Sequence, residues 1–150
     1  MIFKDFYYII AENNIFINAG LFRKMDDYTD LITHIITVNN DCLKLRKKFN
    51  QSYYFKIIVD LNNVKIKNAD YEFLKMLIPF LENSYPDNLE KMYFHNTPFI
   101  FKTAYGIIRH FIHKETRQKI IFVKKNKKNN LDTNPNIYAE LSEDKFDELF

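Results

Sequence analysis

Cysteine occurs once in this 150-residue chain, at Cys42, which excludes an internal disulfide framework and a cysteine zinc cage. Glycine occurs twice, as Gly20 and Gly106, so no glycine-rich loop can cradle a nucleotide phosphate. There is no nucleophile elbow and no paired-carboxylate motif of the kind that hydrolases use. Tryptophan is absent. No apolar run reaches the roughly 18 residues of a membrane span. Lys4 and Asp5 interrupt the N-terminal MIFKDFYYII, which speaks against a cleavable signal. These absences point to a soluble, cytoplasmic, single-domain protein that is not an enzyme and needs no cofactor or metal.

What is present is an ordinary globular balance, 47% hydrophobic and 27% charged, at a length of one domain. The outlying figure is the aromatic content of 17%, from 15 Phe and 10 Tyr. That is more large apolar surface than a small domain needs to pack itself. The abundance of Asn, Lys and Ile suggests A+T-rich coding, as in a large DNA virus or an A+T-rich protist.

The formal charge of +3 is unevenly spread. Residues 1–101 balance 12 basic against 12 acidic side chains. Residues 102–128 carry nine basic side chains against Glu115 alone. Residues 129–150 carry six acids against Lys145. A basic segment followed by an acidic one suggests either an anionic partner for the first or shielding of the first by the second. The plain alternative is two solvated stretches.

Strands and helices alternate. Phe6 to Ile10 and Ile15 to Ile17 read as two short strands around a polar break at Glu12-Asn13-Asn14. Residues 27–49 have helical periodicity, with Tyr28, Leu31, Ile35, Val38, Cys42, Leu45 and Phe49 on one face. Cys42 lies within that stripe and reads as a small buried hydrophobe. Tyr53 to Leu61 is an apolar run suited to a central strand. Residues 69–84 form a helix apolar on two sides, in which Pro79 predicts a kink or an early end. Met92 to His95 is another strand. Pro98 stands at the N1 position of a helix reaching about His113, and Lys119 to Val123 reads as the last strand. The pattern predicts an α/β fold, a mostly parallel β-sheet with flanking helices. Residues 1–128 form the domain, and 129–150 an acidic C-terminal tail that ends in a short helix around 143–150.

The segments YYFKIIVDLNNV, NSYPDNLEKMYFHNTPFIF and YGIIRHFIHKETRQKIIFV, taken in order, resemble the CRAL-TRIO lipid-binding family. The matched features are Asp60-Leu61 at a strand end, Tyr85-Pro86 with Leu89 before a strand, and Asn96, Pro98 and Phe101. Arg109 to Ile112, Thr116, Lys119 and Ile120 complete the match. The resemblance departs from the family pattern in three places. The helical N-terminal extension is missing, Arg109-His110 replace a Lys-Pro, and the Leu-Pro and Gly-Gly elements after the last strand are absent. A minimal version of the domain is implied.

Two adjoining apolar rows mark the helix after Pro98: Phe101, Tyr105, Ile108 and Ile112, then Ala104, Ile107 and Phe111. Both rows meet protein, or one lines a cavity. The resemblance implies a lid over an acyl chain, with Phe73, Leu77, Phe99, Phe101, Tyr105, Ile108 and Ile112 lining a lipid cavity. Lys102, Arg109, His113, Lys114 and Arg117 would meet head groups or an anionic membrane surface. The implied ligand is a phospholipid, phosphoinositide or other hydrophobic small molecule, presented or transferred at membranes. The rival expectation is a protein-interaction module, such as a GTPase-pathway or host-factor binder, that keeps the fold without a lipid. His110 and His113 have the spacing of a metal pair but no completing carboxylates. The basic segment matches no nucleic-acid-binding module.

Overall fold

The computed structural model describes residues 1–125 and 138–150. Along the chain run α1 (Phe3–Phe6), β1 (Tyr7–Ile10), β2 (Asn14–Asn18), α2 (Thr29–Lys48), β3 (Phe55–Asp60), α3 (Tyr71–Ser84) and β4 (Leu89–His95). They are followed by α4 (Phe101–Ile108), α5 (Lys114–Arg117), β5 (Ile120–Lys125) and β6 (Tyr138–Ser142). Short 3₁₀ turns cover Arg109–Phe111 and Glu143–Leu149.

The six strands form one sheet in chain order. β2, β3, β4 and β5 run parallel to one another, while β1 and β6 are antiparallel edges. Successive right-handed crossovers in a sheet of sequential order place every connecting helix on the same face. The packing agrees: Asn39 of α2 meets Tyr7, Phe101 of α4 meets Phe94, and Tyr105 of α4 meets Phe122. In register, Ile17, Val59, Phe94 and Phe122 form one row of this covered face.

Several expectations shift. The helix predicted from Pro98 begins at Phe101, and the Phe101 N–H bonds the Pro98 carbonyl at 2.9 Å, so Pro98 sits in the turn before it. Pro79 does not end α3, which runs on to Ser84 because Leu81 packs on the core and Glu82 is held by α5. In α2 the buried line is Leu31, Ile35, Asn39, Cys42 and Arg46, whereas Phe49 is 61% exposed. Asn39 and Arg46 are buried because each is bonded. Asn39 Oδ1 accepts from Tyr7 at 2.6 Å, and Arg46 donates to the carbonyls of Ser52 at 2.7 Å and Asn13 at 2.9 Å.

With two glycines in the chain, left-handed turns fall mainly to asparagine. Asn13, Asn50, Asn63 and Asn96 all have positive φ, joined by Glu12. Asn is among the residues that tolerate this region best after Gly. Gly20 is required for a different reason: a Cβ there would lie 2.2 Å from the Asn62 carbonyl oxygen.

The boundary expected at residue 128 falls outside the described residues. Beyond it, residues 138–142 are a strand of the same sheet, paired to β5 from Ile121↔Ser142 to Lys125↔Tyr138. The 143–150 helix of the sequence reading is the 3₁₀ turn Glu143–Leu149, folded back onto the covered face.

Candidate functional site

Near the β5–β6 edge the covered face combines aromatic rings and an ion cluster, and a cavity opens beside them at the strand ends. α4 lies here because Phe101, Ala104 and Tyr105 fall on one side of it, with 6%, 1% and 2% exposure. Ile107, on the neighbouring row, is 40% exposed. Phe101 rests on Phe94 at 5.9 Å between ring centroids, and Tyr105 stands edge-on to Phe122 at 5.1 Å. The C-terminal turn inserts Phe146 beside them, 5.0 Å from Tyr105 and 4.7 Å from Phe122. Phe150 then stacks edge-on to Phe146 at 5.5 Å and to Phe99 at 5.3 Å. Phe99 is 70% exposed, so a continuous line of rings leads from solvent to the core.

One carboxylate fastens this arrangement. Glu143 Oε1 accepts from the Tyr105 hydroxyl at 3.2 Å, Arg109 Nε at 3.0 Å and Arg117 Nη1 at 3.5 Å. Lys102 pairs with Asp147 at 3.2 Å, and Lys124 Nζ donates to the Glu148 carbonyl at 2.6 Å. Burial, and secondly the charge of Glu143, push the Tyr105 phenol well above its ordinary value. Arg117 Nε is buried with no hydrogen-bond partner among the described residues.

Beside the ring line lies a cavity of about 580 Å³, lined by His95, Asn96, Thr97, Val123, Lys124, Lys125, Tyr138, Leu149 and Phe150. It opens at the carboxyl ends of β4 and β5, the end of a parallel sheet where ligands usually bind. Its volume is that of a small-molecule site. Thr97 Oγ1 is buried with no hydrogen-bond partner among the described residues.

The expected lining residues are dispersed. Phe101 and Tyr105 share the layer between α4 and the sheet, their rings 6.0 Å apart, and Ile108 and Ile112 pack partly buried against the core. Phe73 and Leu77 are buried in the core, where Phe73 stacks on Tyr28 at 3.8 Å and on Phe22 at 6.1 Å. Phe99 is on the surface. None of these seven borders the 580 Å³ cavity. Of the expected head-group residues, Lys102, Arg109 and Arg117 are paired with the acidic C-terminal segment. Lys114 and the His113 side chain face solvent, and the His113 N–H bonds Glu82 at 3.0 Å. His110 and His113 belong to no group of three or more metal-ligating side chains among the described residues.

Residues missed from sequence are Glu143, Phe146 and Phe150, along with the cavity wall. Their signal was the alternation of charge sign between 102–128 and 129–150, which marked an attraction without placing it. Asp60 ties strand ends together, Oδ1 accepting from the Asn62 N–H and from Asn96, both at 2.9 Å.

The CRAL/TRIO domain family matches residues 13–138. The chain belongs to that family. A CRAL/TRIO relative, the phosphatidylinositol transfer protein CSR1 of Eremothecium gossypii, is 35% identical over 68 residues, covering 45% of this chain and 16% of the other. The SEC14 cytosolic factor of Yarrowia lipolytica is 37% identical over 65 residues, 42% of this chain and 13% of that one. The crystal structure of Sfh5 superposes with a TM-score of 0.56 at 18% identity, over 78% of this chain and 46% of Sfh5. The chain thus spans less than a fifth of the length of these two curated relatives and under half of Sfh5. This CRAL/TRIO domain has the mostly parallel α/β sheet expected of it. None of its helices, among the described residues, is long and apolar enough to cross a membrane.

Proposed function

We propose that this domain binds one phospholipid, of which a phosphoinositide is the leading candidate, and presents or transfers it at membranes. The carrying observation is the ring line from exposed Phe99 through Phe150 and Phe146 to buried Tyr105, in a chain whose relatives include a phosphatidylinositol transfer protein. An acyl chain following that line would displace Phe146 and lie between α4 and the Phe94–Phe122 floor. Phe101, Tyr105, Ile108 and Ile112 would contact it, with Phe73 and Leu77 as the wall behind. Each methylene removed from water contributes about 0.8 kcal/mol.

The phosphate would take the place of Glu143 on Arg109 and Arg117. The unpartnered Arg117 Nε supports this, since guanidinium is suited to bidentate anion binding. Lys102, His113 and Lys114 would face an anionic membrane surface. Apolar side chains left in solvent on α3 and around α4 support contact with a bilayer: Met76, Phe80, Phe99, Ile100 and Ile107 are each at least 40% exposed. Nothing in this reading requires a catalytic group or cofactor.

The test is native mass spectrometry after incubation with phosphatidylinositol or phosphatidylcholine vesicles, followed by extraction and lipid identification. A stoichiometric adduct lost on extraction is expected. The absence of an adduct with both the wild type and Glu143→Gln would remove the carrier reading. A second reading, a protein-interaction module, is favoured by one observation: Phe146 already fills the space between Tyr105 and Phe122.

A further inference from the structure

Among the described residues the helices occupy one face of the sheet, and the opposite face has a charge pattern of its own. Strand alternation and register place Tyr8, Phe16, Ile58, Tyr93 and Ile121 in one row across it. All five are only partly buried, and none packs against the main core. Tyr8 and Phe16 contact each other, with centroids 5.3 Å apart. Toward the amino ends of the central strands the next row is cationic, with Lys56 on β3 and Lys91 on β4. Toward the carboxyl ends it is mainly polar and acidic, with Asn18, Asp60, His95 and Glu140 beside Val123. Lys125 stands one row further out. None of Lys56, Lys91 and Asp60 is in an ion pair among the described residues.

Parallel sheets are found almost only with both faces covered, because an apolar row left in water forfeits its burial. The pattern here is complementary to itself. A two-fold axis running across the strands above Ile58 and Tyr93 turns the second sheet end for end. Lys56 of one copy then meets Asp60 of the other, and Asp60 meets Lys56, the reciprocal contact that an isologous interface requires. An axis along the strands would instead set lysine on lysine. The axis across the strands also stacks the aromatic rows on one another. A flat anionic bilayer would meet Asp60 and Glu140 as well as the lysines, so it fits this face less well than a second copy.

We propose that this open face is a homodimer interface, formed by two copies of the chain packed sheet to sheet with their strands antiparallel. Six strands spaced about 4.8 Å apart, with three side-chain rows each, offer roughly 500 Å² per copy. Both copies together give roughly 1,000 Å², the size of weak or transient specific interfaces.

Sedimentation equilibrium of the full chain from about 1 to 300 µM tests this, a span that brackets micromolar dissociation constants. The wild type should pass from monomer to dimer. Tyr93→Glu, Lys56→Glu and Asp60→Lys should each weaken association at least about tenfold, a change of about 1.4 kcal/mol. An equimolar mixture of Lys56→Glu and Asp60→Lys should recover a dimer containing one of each, since both reciprocal contacts become attractive again. Asp60→Lys also removes the bonds to Asn62 and Asn96. If circular dichroism shows that it is not folded, Tyr93→Glu and Lys56→Glu decide the question. A wild type that stays monomeric throughout overturns the proposal, as does a dimer indifferent to Tyr93→Glu. A monomer whose vesicle binding is lost in Tyr93→Glu assigns the face to membranes and overturns it equally.

Discussion

The Tyr105 hydroxyl donates to Glu143 Oε1 across 38 positions of sequence, joining the buried side of α4 to the turn after the last strand. The same oxygen accepts from Arg109 and Arg117. A single carboxylate therefore holds the expected lid helix, the basic segment and the acidic segment together. Glu143→Gln keeps the shape and removes the charge. Arg109 is 41% exposed, which screens its share, so the expected loss of stability is about 1 kcal/mol. Urea unfolding measures that loss. If the C-terminal turn must leave for lipid to enter, the same variant should load phospholipid faster than wild type in stopped-flow transfer.

Tyr105 and Tyr7 have phenols raised far above the ordinary value, Tyr105 by burial and then by Glu143, and Tyr7 chiefly by burial. A raised folded-state value means that the folded protein holds the proton more tightly than the unfolded chain. This stabilisation is complete below pH 10, the ordinary phenol value, and is lost as pH rises through and beyond it. Absorbance titration at alkaline pH should show most tyrosines ionising first, with a late phase that coincides with unfolding. Tyr105→Phe should shrink that late phase.

The two glycines should respond oppositely to alanine. At Gly20 the new Cβ meets the Asn62 carbonyl oxygen at 2.2 Å, so the turn must move, and a loss of about 2 kcal/mol or more is expected. Gly106 lies within α4 with nothing within 4 Å of the added atom. There, higher helix propensity should add roughly 0.5–1 kcal/mol. Thermal unfolding of the two variants checks both signs. Equal effects would mean that the Gly20 loop relaxes freely.

Cys42 is fully buried and its thiol donates to the Asn13 carbonyl oxygen at 3.2 Å. Burial pushes its pKa up to about 11, so little thiolate exists near neutrality. Reaction with a chromogenic disulfide at pH 8 should be slow in the folded state and immediate in denaturant. Fast labelling of the folded protein would show that α2 opens from the sheet.

Much of the architecture was legible locally. Apolar runs such as Ile57 to Val59 and the helical periodicity of 27–49 and 69–84 depend only on neighbours, so the α/β pattern could be read directly. β6 was missed because Tyr138, Glu140 and Ser142 face solvent and only Leu141 and Ala139 turn inward, which is too weak an alternation to stand out. Arg46 was missed for the opposite reason: a charged side chain is buried only because carbonyls from distant residues meet it. The acidic segment carried its charge openly in the sequence, but no local rule says that Glu143 lands on Arg109 rather than in water.

The alternation of strands and helices, the chain order of the principal elements and the resemblance to CRAL/TRIO domains can all be read from local residue patterns. Each of these follows from spacings of a few residues. Which aromatic side chains are buried depends instead on long-range packing, which leaves Phe101 and Tyr105 under α4 and Phe99 in solvent. That packing also closes the basic segment with Glu143 and Asp147, and sets α2 and α4 on one face of the sheet. The reason is that burial and ion pairing depend on which distant segments meet, and the sheet's strand order brings those segments together.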